Sequence, residues 1–140
     1  EPVDDAIGEP RPRKGALAES DIVSLHLPLV PSTERLINTK SIAGMRRGAI
    51  LINTARGGLV DECALVAALK SGQLGAAGLD VFQQEPVDPK NELFQLDNVI
   101  VMPHLSWLTP ETLSRSLDIA IENCRRVRLG EKLLHDITGY

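Results

Sequence analysis

A few side chains able to do chemistry stand just past short apolar runs. Arg56 follows "GAILINTA" and is itself followed by Gly57 and Gly58. Asp80 ends "GAAGLD", Glu85 lies a few residues on beside Pro86, and His104 follows "NVIVMP". A guanidinium is a planar fork matched to a carboxylate, and it can polarise a neighbouring carbonyl. A carboxylate beside an imidazole fixes its tautomer and keeps a proton donor at hand. As a set, Arg56, Glu85 and His104 suit proton transfer at an oxygen-bearing carbon next to a carboxylate. Singly each has a plainer reading, as a surface cation, a turn residue or a solvated imidazole. Their shared placement is what carries the argument.

That placement depends on the elements around them. "DIVSLHLP" (Asp21 to Pro28) reads as a strand ended by its prolines, and "GAILINTA" as a second, suited to burial on both faces. "GAAGLDVF" and "DNVIVMPH" supply a third and a fourth. Between them, "NTKSIAGM" is a short helix that Asn38 or Thr39 can cap and Gly44 can end. "VDECALVAALKSG" is a helix with Asp61 as N-cap, Leu65, Ala68 and Leu69 on one face, and Gly72 just past its end. A last helix begins at Thr109-Pro110, with Leu113, Leu117, Ala120, Cys124 and Val127 on one stripe and Glu122 to Arg126 as a supporting pair.

Nearly all-apolar strands spaced by helices belong to a parallel sheet covered on both faces, an α/β doubly wound fold. In such a sheet ligands bind outside the carboxyl ends of the strands. Successive strands deliver His26, Arg56, Asp80 with Glu85, and His104 to that one edge. The expected organisation is a loop or frayed remnant over 1–19, a doubly wound domain carrying the candidate residues over 20–108, and a helix and tail over 109–140.

Composition excludes other classes. At 140 residues, 43% hydrophobic and 24% charged, the chain is one ordinary soluble domain; only 3% is aromatic, so Leu, Ile, Val and Ala must build the core. A net charge of −4 argues against nucleic acid and anionic membranes as partners. No apolar run approaches a membrane span, and the acidic, proline-bearing start is unlike a signal peptide. With no initiating Met, the chain reads as a processed or truncated product. Cys63 and Cys124 have no metal-ligand spacing around them and read as buried reduced thiols in a cytoplasmic protein. No metal site is expected.

"NTARGGLVDE", "AAGLDVFQQEP" and "MPHLSW", in that order and spacing, resemble the carboxyl-terminal half of the D-isomer-specific 2-hydroxyacid dehydrogenases, from about Ala18 to about Leu133. The resemblance implies the second half of a Rossmann-type NAD-binding domain, with NAD or NADP as cofactor. It implies that Arg56 binds the substrate carboxylate and keto oxygen, and that His104 is the general acid in reduction, with Glu85 its partner. Asp80 would lie by the nicotinamide. His26, Leu27 and Pro28 would line the adenosine side, while Thr54, Leu105 and Ser106 would border the cofactor elsewhere. Hydride would pass to C2 of a small 2-keto acid. A glutamate at position 85, where formate-oxidising relatives carry glutamine, argues against formate. Trp107 resembles the glyoxylate, hydroxypyruvate or glycerate-type reductases, although packing under the last helix would explain it equally well. A homodimer is the expected assembly.

The family's G-x-G-x-x-G phosphate-binding turn does not occur in these 140 residues. Helix N-terminal amides supply most partners of a pyrophosphate in this fold. The isolated chain is therefore expected to bind cofactor weakly, to be inactive, and to associate through the unpaired edge of its first strand. The competing reading is an inactive nucleotide-sensing or partner-binding module of the same family, since corepressor-like members can keep Arg56, Glu85 and His104.

Overall fold

The structure, a computed structural model, describes residues 13–136. It forms two compact units that divide after His104. The first holds a four-stranded, wholly parallel sheet in the order β1 (Ile22–Leu25), β2 (Ala49–Asn53), β3 (Leu74–Leu79), β4 (Val99–Val101). Its helices are α1 (Arg13–Glu19), α2 (Thr39–Ala43) and α3 (Glu62–Lys70). The second unit is built on α4 (Pro110–Leu129).

Local grammar accounts for these elements. Asn38 caps α2 by accepting from the Lys40 and Ser41 amides, and Ser41 returns a bond in a capping box. The Asp61 carboxylate caps α3 through the Ala64 amide, and Gly72 takes the left-handed turn beyond its end at φ +69°. In the second unit Thr109 caps α4 with Pro110 in the first turn, and Gly130 ends it at φ +69°. Glu122 there bonds Arg125 at 2.9 Å and Arg126 at 2.7 Å. Asn123 pairs both its amide atoms with the backbone of Leu134.

Among the described residues of the first unit, the sheet is covered on one face, where the sequence pattern suggests cover on both. The register puts Leu25, Leu51, Asn53, Ala77 and Leu79 on one face, where they pack with Leu65, Ala68 and Leu69 of α3. The other face carries Ile22, Ile50 and Ile100, all exposed. The period-two burial of β2 expresses this one-sided cover within the described residues. Among the described residues β1 is an edge strand.

Two further expectations change. Residues 13–19 form α1, with Leu17 against the core, where a loop was expected; the rest of the 1–19 segment lies outside the described residues. Cys63 and Cys124 are exposed. Cys63 falls off the Leu65, Ala68 and Leu69 stripe that α3 buries, and α4 buries no residue at all. No described helix is long and apolar enough to cross a membrane.

Candidate active site

Because all four strands are parallel, their carboxyl ends share one edge, with Leu25 level with Asn53, Asn53 with Leu79, and Leu79 with Val101. His26, Arg56, Asp80 and His104 therefore leave the sheet at that edge. Each is brought there by a different loop.

Arg56 sits on the turn after β2, which Asn53 ties down. That asparagine is only 1% exposed; its amide donates to the Arg56 carbonyl at 2.9 Å, and its oxygen accepts from the Ala55 amide at 3.1 Å. The two glycines beyond answer to packing, not to phosphate. A Cβ on Gly57 would stand 1.9 Å from the Phe82 carbonyl carbon and oxygen, and one on Gly58 would stand 2.7 Å from Leu29 Cδ2. The turn after β2 is thus pressed against the loop after β3. The Arg56 guanidinium is exposed, and its Nη1 donates to the Ala55 carbonyl at 2.6 Å.

That second loop carries Glu85. Its Oε1 accepts from the Phe82 amide at 3.0 Å, and its Oε2 meets His104 Nδ1 at 2.8 Å. The His104 bond and then the Phe82 amide hold the Glu85 carboxyl below the ordinary glutamate range, against opposing contributions from its desolvation and from Asp80. An ionised carboxylate only accepts, so the proton in the Glu85–His104 bond belongs to Nδ1. His104 itself holds φ +58°, a left-handed backbone that non-glycine residues adopt at a cost of roughly 1–2 kcal/mol. Such strain concentrates at functional sites.

Two hollows open at this edge. One of about 420 Å³ has Glu85 and His104 on its wall with buried Asp80, and is otherwise apolar, with Phe82, Val87 and Met102 among its lining. The other, about 320 Å³, is formed by His26, Leu27, Pro28, Ala55 and Arg56. The glutamate and histidine are thus brought into contact, while the arginine lines the neighbouring hollow. His26 Nε2 lies 2.8 Å from Ser24 Oγ, and Thr54 is half-buried in the turn after β2. Leu105 and Ser106 belong to the second unit, where both are exposed, as is Trp107.

The edge suits part of a dinucleotide. A mixed hollow beside Leu27 and Pro28 could take a flat ring, and buried Asp80 could accept from a carboxamide. The start of α3, in contrast, is filled by the Asp61 cap with Glu62 beside it, an arrangement that repels a phosphate. Sequence reasoning singled out neither Asn53 nor Glu62 as part of the site. The Asn-Thr-Ala-Arg order could have pointed to Asn53, a side chain able to bridge its own turn.

Residues 4–106 match the model of the D-isomer specific 2-hydroxyacid dehydrogenase, NAD binding domain. A glyoxylate reductase of Korarchaeum cryptofilum is 45% identical over 86% of this chain and 36% of its own length. A glycerate dehydrogenase of Methylorubrum extorquens is 48% identical over 76% of this chain and 35% of its own. The fold superposes with a TM-score of 0.76 on the D-isomer specific 2-hydroxyacid dehydrogenase of Xanthobacter autotrophicus in complex with NADPH and MES, 46% identical over 89% of this chain and 50% of that one. D-lactate dehydrogenase of Lactobacillus jensenii with NAD+ superposes at 0.82, with 37% identity over 91% of this chain and 42% of that one. The chain spans about a third of the length of these two curated relatives. On this sequence match and this parallel sheet, the chain belongs to the D-isomer specific 2-hydroxyacid dehydrogenase family, as part of its NAD binding domain.

Proposed function

We propose that this chain is the part of a nicotinamide-dependent 2-hydroxyacid dehydrogenase that carries its acid–base pair, and that the whole protein reduces a small 2-keto acid. The observation that carries this is the 2.8 Å contact of Glu85 with His104 at the carboxyl edge of the sheet. A bound nicotinamide, NAD or NADP, supplies the hydride that C2 receives. Glu85 keeps a proton on Nδ1, so in reduction the doubly protonated ring hands its Nε2 proton to the substrate oxygen and becomes the neutral Nδ1–H ring, and in oxidation that Nε2 takes the proton back. Arg56, on the adjoining hollow, offers two parallel N–H donors to the substrate carboxylate. Asp80 would lie by the nicotinamide end of a bound cofactor, and His26, Leu27 and Pro28 would border its adenosine side. Thr54 would add to the cofactor's surroundings.

Glyoxylate and hydroxypyruvate, with D-glycerate as the reverse substrate, lead the candidates, because relatives bearing those names are 45–48% identical to this chain. The test is a panel of 2-keto acids with NADH and NADPH on the full-length protein. Turnover of glyoxylate or hydroxypyruvate is expected, and His104→Ala should lower kcat by about 10²–10⁴-fold. No turnover of any 2-keto acid would refute the enzyme reading and favour an inactive partner-binding module. The 140-residue chain alone is expected to be inactive, since its described helix starts offer no pyrophosphate cradle; saturable reductase activity from that chain would overturn this.

A further inference from the structure

We propose that Glu62 is a positioning residue, whose carboxylate fixes the loop after β3 to the start of α3 and thereby aims Glu85 at His104. This deepens the acid–base reading above and rests on it. Glu62 opens α3, an element anchored by the Asp61 cap and by buried Leu65, Ala68 and Leu69. From that fixed point its two oxygens reach both ends of the loop: Oε1 accepts from the Gln83 amide at 2.6 Å and Oε2 from Asn91 Nδ2 at 3.1 Å. Glu85 lies between those ends. Its own Oε1 is held by the Phe82 amide, the peptide next to the one Glu62 grips. Three hydrogen bonds thus run in series from the helix to the imidazole, and the Asn91 bond anchors the far end of the loop.

An acidic residue in a first helical turn also interacts with the helix dipole, so its presence alone would signify little. What distinguishes Glu62 is that both oxygens are spent on the loop, across 21 and 29 residues of chain. The loop has no strand or helix of its own between Val81 and Asn91. Released at both ends, it lets the Glu85 carboxylate drift by an ångström or so, enough to break a hydrogen bond, whose strength falls steeply with distance and angle. His104 then loses the acceptor that dictates its tautomer.

The tautomer is therefore the readout. In the ¹⁵N-labelled chain, long-range ¹H–¹⁵N spectra of the neutral His104 ring are expected to show the proton on Nδ1. Glu62→Ala should transfer the balance to the Nε2–H form that a solvated histidine prefers. Glu62→Gln keeps an acceptor for the Gln83 amide and should stay nearer the parent. Asn91→Asp leaves α3 untouched and retains the Oδ1 that accepts from the Leu93 amide at 2.9 Å, but sets a carboxylate against Glu62. It should move the ratio in the same direction as Glu62→Ala. A folded Glu62→Ala protein with an unchanged ratio overturns the proposal. If that variant fails to fold, an unchanged ratio in Asn91→Asp overturns it instead. A parent ring already in the Nε2–H form refutes the pairing itself, a different failure from loss of the Glu62 role alone.

Discussion

Replacing Gly57 by alanine should separate the two loops that carry the candidate site. The new Cβ would lie 1.9 Å from the carbonyl carbon and oxygen of Phe82 and 2.5 Å from the Gln83 amide nitrogen. Ordinary contact begins near 3.5 Å, so one backbone must retreat by about 1.5 Å. No rotamer can relieve this, because the obstacle is main chain on both sides. Overpacking of this kind costs about 1–3 kcal/mol and at times more. For a domain of this size that is roughly 3–15 °C in Tm. Gly58 provides the internal control: its added Cβ meets only the mobile end of Leu29, at 2.7 Å, and should cost well under ~1 kcal/mol. Gly75 lies between, with Gly48 O at 2.5 Å. Thermal unfolding followed by circular dichroism should rank the alanine variants Gly57, Gly75, Gly58 in order of falling damage. Gly57→Ala should also weaken the Glu85–His104 bond, because the displaced Phe82–Gln83 peptide is the one Glu62 grips and adjoins the Phe82 amide that holds Glu85. A Gly57→Ala variant no less stable than Gly58→Ala would refute the inference that the turn after β2 is glycine-bearing in order to seat against Phe82.

Other outcomes follow from single contacts. His104→Gly should be more stable than His104→Ala by about 1 kcal/mol in urea unfolding, because only glycine takes φ +58° without strain. Asn53→Ala should cost about 1–3 kcal/mol, leaving the Arg56 carbonyl and Ala55 amide without their partner, and Asn53→Asp more, since it buries a charge facing that carbonyl. Glu85 is held below 4.5 in the fold, so its contribution is complete above that pH and is lost as pH falls through the folded value; Tm measured down to about pH 3 should decline less in Glu85→Gln than in the parent. In the full-length protein, Arg56→Lys should impair kcat/KM nearly as much as Arg56→Ala, because an ammonium cannot form two parallel bonds to a carboxylate; wild-type kinetics in the lysine variant would exclude the clamp.

Much of this molecule is legible one residue at a time. Asp61, Gly72, Thr109 and Pro110 mark helix ends because capping and left-handed turns are local events, satisfied within a few residues. Apolar runs spaced by helices announce parallel strands, and parallel strands put His26, Arg56, Asp80 and His104 at one edge, since a shared direction leaves them no other. Tertiary structure decided what no local pattern encodes. Which face of the sheet is covered, why Gly57 has no side chain, that Glu62 grips a loop 21 residues away, and that Arg56 and His104 line neighbouring hollows all depend on contacts between distant segments. Periodicity records how a residue faces its own element. Only the assembled core determines which two backbones arrive at the same place, because excluded volume and hydrogen bonding act between whatever segments the fold brings together.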